Sequence, residues 1–155
     1  MGVEIERKFL ILNDEWKKKG RPIKVTQGYL QTNKECTIRV RVIDDKGVIT
    51  IKGQNIGATR PEYEYVIPVI DALELLENLC LKPLIDKTRY LFEYRGLTWE
   101  IDEFHRENDG LVIAEVELKS ESQKIELPSW VGEEVTGDER YYNSYLSRHP
   151  YKEWK

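Results

Sequence analysis

Histidine and cysteine are scarce in this chain of 155 residues, with two of each. His105 and His149 stand far apart in loop-like and C-terminal settings. A histidine-rich metal site is therefore excluded, and a Ser-His-Asp catalytic set is implausible. Both histidines are expected at the surface. Cys36 and Cys80 have no second cysteine near either, which is neither a disulfide framework nor a zinc spacing. They read as small packed residues in a reducing compartment. Long apolar runs are missing as well: the N-terminus is charged, and stretches such as VIPVI (66–70) are far too short to cross a bilayer. A cytoplasmic protein without a membrane partner is the expectation. An excess of positive charge is also absent. Twenty-four basic residues face 28 acidic ones, for a net charge of −4, so nothing global recruits nucleic acid. Finally, no Gly-rich phosphate loop joins a strand to a helix. GQNIGATR (53–60) lacks the G-K-[ST] ending of a P-loop.

What the chain does have is charge in short alternating segments. Charged residues make up 34% and hydrophobic ones 40%, which suits one globular domain over residues 1–155. Period-two alternation predicts strands at Val3–Leu10, Lys24–Leu30, Cys36–Val42, Val48–Gly53, Glu62–Ile67, Lys87–Tyr94, Thr98–Phe104 and Val112–Lys119. Turn signals such as DDKG (44–47) and ENDG (107–110) separate them. Short connections favour antiparallel neighbours. QNIGATRP (54–61) reads as a longer, mobile loop. Helices are predicted at 13–20, capped by Asn13 or Asp14, at 71–79, and in the tail at 137–150 with Asp138 as N-cap and Pro150 as stop. In the second, Asp71 and Glu74 have capping-box-like spacing, and Leu73, Leu76 and Leu79 form an apolar stripe.

Sorting each strand by parity separates the charges. One face carries eight acids: Glu4, Glu6, Glu62, Glu64, Glu100, Asp102, Glu115 and Glu117. The same face carries six bases: Lys8, Arg39, Arg41, Lys52, Lys87 and Arg89. Most strands contribute a single sign. A merely solvated face mixes signs, because like charges side by side are unfavourable. Arg39 and Arg41 can present two guanidinium forks about 7 Å apart, matching phosphate or carboxylate oxygens. The paired carboxylates should raise one another's pKa unless a cation lies between them. Hard oxygen ligands without His or Cys suit Mg²⁺ or Mn²⁺. Cationic forks beside a carboxylate-held divalent ion are what polyphosphate chemistry requires. Arg7 points the other way, with Ile5 and Phe9, and nothing in the sequence accounts for it.

EIERKFL (4–10) resembles the E-x-E-x-K signature of the CYTH superfamily, the triphosphate tunnel metalloenzymes. The likeness continues through QGYL (27–30), TIRVR (37–41), TIKG (50–53), EYE (62–64), KTRY (87–90), AEVEL (114–118) and DERYYNSYL (138–146). The resemblance implies a mainly β fold. It is a closed antiparallel barrel of eight strands with a charged tunnel inside and helices packed outside, reversing the usual apolar barrel interior. It implies that Lys8, Arg39, Arg41, Lys52, Lys87 and Arg89 contact a triphosphate. Glu4, Glu6, Glu115 and Glu117 would hold one divalent ion, with Glu64 and Asp102 near it or completing a second site. Glu4, Glu6, Lys8, Lys52, Asp102 and Tyr29 are the catalytic candidates, Tyr29 standing near the tunnel mouth to bond a phosphate or gate it. Arg140 and Tyr141 would close one end of the barrel. Glu62 and Glu100 either join the site or only balance neighbouring bases.

The compact chain has no obvious aromatic pocket for a thiamine or capped-RNA end. Metal-dependent hydrolysis of inorganic tripolyphosphate, with weaker nucleoside triphosphatase activity, is therefore the first expectation. The alternatives are a class IV adenylate cyclase, a thiamine triphosphatase, or a non-enzymatic polyphosphate-binding module. A small-molecule triphosphate is the expected partner, and the protein a monomer or homodimer.

Overall fold

A computed structural model describes residues 2–154. Alternation and tight turns build a run of antiparallel strands: β1 (Val3–Ile11), β2 (Arg21–Asn33), β3 (Cys36–Ile43), β4 (Lys46–Gly53), β5 (Thr59–Ile67), β6 (Ile85–Tyr94), β7 (Leu97–Phe104), β8 (Val112–Glu117) and β9 (Val131–Glu134). The turn between β6 and β7 is Arg95-Gly96, with φ of 53° and 79°. Two positive φ values make a primed turn, whose twist matches the strands it joins. The hydrogen-bonded order is β5-β4-β3-β2-β6-β7-β8-β1, and β5 returns to pair with β1. The result is a closed eight-stranded barrel with β9 added. β1 carries three neighbours: β8 along one edge, β5 at Val3–Ile5 and β9 at Phe9–Ile11.

Closure uses a segment that reads as a loop in the sequence. Thr59, Arg60 and Pro61 lie opposite Ile5, Glu4 and Val3, and the Glu6 N–H donates to the Ala58 carbonyl at 3.1 Å. A polar, Gly-containing stretch thus supplies the last rung. β9 is invisible to periodicity because only four residues, VGEE, form it.

The outside of the barrel is apolar and covered in two places. α1 (Glu15–Lys19) and the segment before β9 bury Trp16 and Trp130 against Phe9, Trp99, Ile101 and Val116. Trp99 and Trp130 meet edge to face at 5.4 Å, and Phe9 lies 5.6 Å from Trp99. Truncating one such buried aromatic costs about 3–5 kcal/mol. α2 (Val69–Asn78) covers Val40 with Ala72 and Leu76. The leucine stripe differs from expectation: Leu76 is buried, but Leu73 and Leu79 are 51% and 66% exposed. The i, i+4 pair Ala72 and Leu76 faces the barrel instead. Asp71 caps nothing, since the helix starts two residues earlier behind Pro68. Asn13 accepts from the Glu15 N–H, while Asp14 makes no side-chain cap at α1. Tyr63 and Tyr65 point out of β5 but stay 44% and 57% exposed, because no helix lies over them.

The tail is not one helix. Asp138 caps a single 3-10 turn at Glu139–Tyr141, then come α3 (Asn143–Leu146) and a second 3-10 turn at Tyr151–Glu153. Nor is it wholly outside. Gln27 lies opposite Ile85, Lys87 opposite Phe104, and Asp102 opposite Ile113, and directly opposed residues share a sheet face. The interior face therefore runs from charged residues into apolar ones. Tyr29, Ile85, Phe104, Leu111 and Ile113 form a buried cluster with Leu146 of α3, and Tyr141, Tyr151 and Trp154 pack on it. The C-terminal segment plugs one end of the barrel. Tyr141 belongs to that plug, and the Arg140 guanidinium stacks over Tyr141 and Trp154 while paired with Asp138 at 2.7 Å. Among the described residues no helix is long and apolar enough to cross a membrane.

Candidate active site

Between the plug and the open end lies a cavity of about 290 Å³ lined by side chains from all eight barrel strands and by Tyr142, Asn143 and Ser144. It exists because alternate residues of every strand point inward, and on these strands the alternate residues are charged. One wall is basic. β3 presents Arg39 and Arg41, and β6 presents Lys87 and Arg89. The other is acidic. β1 presents Glu4 and Glu6, and β8 presents Glu115 and Glu117, with Glu6 directly opposite Glu117.

Each wall contains counter-charges. Asp102, 2% exposed, stands under the basic wall. Arg89 grips it through Nε at 2.8 Å and Nη2 at 3.0 Å, and Lys87 Nζ reaches it at 2.8 Å. Arg41 Nη2 donates to Glu64 at 2.7 Å, and the Thr50 hydroxyl donates to the same carboxylate at 3.0 Å. Glu100 lies 3.4 Å from Arg89. Arg39 makes no ion pair among the described residues, and the buried Nε atoms of Arg39 and Arg41 have no partner. In the acidic wall, Lys52 Nζ donates to both oxygens of Glu4 at 3.0 and 3.1 Å and lies 3.4 Å from Glu62. Lys8 Nζ is 3.0 Å from Glu115 but 3.8 Å from Glu6.

Protonation follows from these neighbours. Burial pushes Glu6 up to about 8, with Glu115 adding repulsion that Lys8 does not overcome. Burial and then Glu4 push Glu62 up to about 7, and burial with Glu4 and Glu100 raises Glu117. Glu4 and Glu115 go the other way. Burial would raise both, but Lys52 lowers Glu4 and Lys8 with Arg89 holds Glu115 far below the carboxylate range. The crowded carboxylates therefore do not all raise one another as the sequence suggests; two intercalated lysines split them. In the basic wall, burial works against Asp102, yet Arg89 and Lys87 hold it at about 2. Burial lowers Lys87 to about 7 despite Asp102, and lowers Arg41 to about 9 with help from Arg39 and Arg89.

The structure brings together Glu4, Glu6, Lys8, Arg39, Arg41, Lys52, Glu64, Lys87, Arg89, Glu115 and Glu117 around one cavity. It sets Asp102 beneath that lining, its oxygens taken by Arg89 and Lys87. Glu64 is taken up by Arg41 at 2.7 Å. Tyr29 is not at an open mouth: it is 4% exposed, where the cavity meets the apolar plug. Among the described residues no three acidic, histidine or cysteine side chains are already gathered as a metal-binding group. The donor chemistry nevertheless fits a hard cation. Glu6 is a partly buried carboxylate that meets only an ammonium 3.8 Å away, beside other carboxylates, and such an oxygen set binds Mg²⁺-like ions well.

A family model described as the CYTH domain matches residues 2–144. The chain belongs to the CYTH family. An inorganic triphosphatase of Acetivibrio thermocellus is 52% identical over 155 residues, covering 100% of this chain and 99% of that protein. One from Nitrosomonas europaea is 36% identical over 149 residues, covering 93% and 96%. The crystal structure of the inorganic triphosphatase NE1496 matches with a TM-score of 0.64 at 32% identity, covering 92% of this chain and 96% of that one.

Several residues of this CYTH cavity are not singled out as site residues by the sequence. Arg60 lines it opposite Glu4, from within the stretch that read as loop. The Tyr142 ring lies 5.1 Å from Lys8 Nζ and 5.9 Å from the Arg60 guanidinium. Asn143 accepts from Lys87 at 2.9 Å and from Gln27 at 3.0 Å. Tyr142 and Asn143 fall in the tail that reads as a helix, so only its folding back as a plug places them in the site. Arg7 is also resolved: its guanidinium forks onto Glu134 of β9 at 2.8 and 2.9 Å, outside the barrel. His105 bonds the Thr88 hydroxyl at 2.8 Å, and His149 stacks on Tyr145.

Proposed function

We propose that this CYTH domain hydrolyses triphosphates within its barrel, with inorganic tripolyphosphate as the first substrate and nucleoside triphosphates as weaker ones. One observation carries the reading: a single cavity holds a basic wall with donors to spare and, facing it, carboxylates left short of positive charge. An anion binder needs only the first. A phosphoryl-transfer site needs both.

In this reading Arg39, Arg41, Lys52, Lys87, Arg89 and Lys8 hold the phosphates. Arg39 lines the cavity and makes no ion pair among the described residues, so its guanidinium is free to meet a phosphate. Charge-assisted, forked bonds of this kind fix a phosphate in orientation as well as place. Glu4, Glu6, Glu115 and Glu117 would hold one or two Mg²⁺ or Mn²⁺ ions. Such an ion, when bound, draws negative charge from phosphate oxygens and makes a water more acidic. Asp102 serves by locking Arg89 and Lys87, and Glu64 by locking Arg41, rather than as ligands. Glu6, in its ionised form, takes the proton of the attacking water on an Oε atom. Lys8 and Lys52 offset charge building on the leaving diphosphate. The Tyr29 hydroxyl, beside the floor of the cavity, donates to a phosphate oxygen. The substrate is a small molecule; the cavity is too narrow and internal for a duplex nucleic acid.

Phosphate release from tripolyphosphate, ATP, thiamine triphosphate and pyrophosphate, each with Mg²⁺ or Mn²⁺, tests the reading. Release fastest from tripolyphosphate is expected. Cyclic AMP from ATP would make the protein a cyclase. Tight binding of tripolyphosphate with no turnover from pH 6 to 10 would make it a binding module.

A further inference from the structure

Lys87 is the deepest cation of the cavity, 1% exposed, at the boundary where the charged interior gives way to the apolar plug. In its charged form Lys87 has three N–H donors and no acceptor. One donor goes to Asp102 at 2.8 Å and one to Asn143 Oδ1 at 2.9 Å. Below it, 5.5 Å away, is the Phe104 ring. The third donor is left for the cavity that Lys87 lines. Two fixed acceptors on a group with tetrahedral donors determine where that third N–H points.

Asn143 is itself held. Its Oδ1 also accepts from Gln27 Nε2 at 3.0 Å, and Gln27 is fully buried with its own Oε1 unpartnered. Two donors converging on one atom dictate which way the Asn143 amide is turned, since its NH₂ in that place would face two donors. An orphaned buried carbonyl is costly. Gln27 accepts that cost while keeping the Asn143 oxygen toward Lys87. The chain of bonds runs from β2 through the C-terminal segment to β6 and β7.

Resting on the triphosphatase reading above, we propose that Asn143 is a positioning residue: it aims the Lys87 ammonium at a substrate phosphate, so that docking of the C-terminal plug completes the phosphate site. Asn143 does not contact the reacting atoms. It acts through Lys87, and this dependence is what a measurement can detect.

The test is a double-mutant cycle on the full chain, with Asn143→Leu and Lys87→Ala singly and together. Leucine matches asparagine in shape and keeps the plug packed but offers no acceptor. Two readouts are taken: the Kd of tripolyphosphate by calorimetry without divalent metal, and kcat and KM with metal. Asn143→Leu is expected to raise Kd and KM about tenfold, the scale of one misdirected charge-assisted bond, with kcat changed far less. In the Lys87→Ala background it should change neither. An equal loss in both backgrounds, or no loss in either, overturns the inference while leaving the triphosphatase reading intact. Failure of the unsubstituted protein to bind tripolyphosphate overturns both. Melting temperature is followed for every variant. Should Asn143→Leu unfold the plug, Gln27→Leu replaces it: the freed amide loses its orientation, and the same Lys87-dependent rise in Kd is required.

Discussion

Asp102 and Glu6 are carboxylates of one cavity, both withdrawn from water, and they sit at opposite ends of the protonation scale. Asp102 is held at about 2 and Glu6 at about 8. Burial pushes both up. The difference is what stands within bonding distance: Asp102 has a forked guanidinium and an ammonium, each at 2.8 Å, whereas Glu6 has one ammonium at 3.8 Å and Glu115 nearby. In the basic wall Arg41, Lys87 and Arg89 are paired, and Arg39 is left over for an anion. The acidic wall is left short of one cation or more. Charge sign alone does not say what each wall awaits; the pairing does.

Removing the counter-charge of the basic wall should have the largest effect. Asp102→Ala leaves Lys87 and Arg89 buried without their shared partner, and breaking a buried pair this way costs about 3–5 kcal/mol. Urea unfolding measures it, and a loss below about 1 kcal/mol would mean that the wall does not depend on Asp102. Removing a phosphate donor instead should spare the fold and strike the reaction. Arg39→Ala, which breaks no ion pair, is expected to lower kcat/KM about 100-fold, with the melting temperature little changed. Steady-state phosphate release decides this.

The acidic wall should show itself through pH. Glu6 and Glu62 have folded values of about 8 and about 7 against 4.5 ordinarily. Between about 4.5 and 7 the folded state therefore binds more protons than the unfolded one, and stability must fall as pH rises. Each such group contributes a slope of about 1.4 kcal/mol per pH unit at most. Above about 8 the sign turns: Glu6 has then lost its proton, and Lys87, lowered to about 7 from 10.5, leaves the unfolded state holding the extra one. Glu6→Gln should flatten the fall below pH 7, and millimolar Mg²⁺ or Mn²⁺ should reverse it by binding the folded state only. Denaturation across pH 4.5–7, with and without metal, would contradict the account if stability rose in the metal-free protein. The smallest effect belongs outside the barrel. Arg7→Ala removes a partly exposed pair with Glu134 and should cost no more than about 1 kcal/mol, leaving kcat/KM unchanged. A large loss of activity there would show that β9 acts on the cavity through β1.

The lining was legible in the sequence because its signal is local. Side chains alternate along a strand whatever the strand pairs with, so Arg39 with Arg41, Glu4 with Glu6, and Glu115 with Glu117 could be assigned to one face before any partner was known. Their segregation by strand made a charged interior readable, and the turns made an antiparallel order readable. Tertiary structure decided the rest. Thr59–Pro61 became the closing rung, although its composition is that of a loop, because β1 offered an open edge. The tail became a plug because Leu146, Tyr141 and Trp154 had an apolar barrel end to cover. Asp102 became a clamp for cations and Glu6 a carboxylate lacking one, through contacts a few ångströms long between strands distant in sequence. Hydrogen bonds and ion pairs are decided at that range, and alternation along a strand says nothing about which side chain will stand across from it.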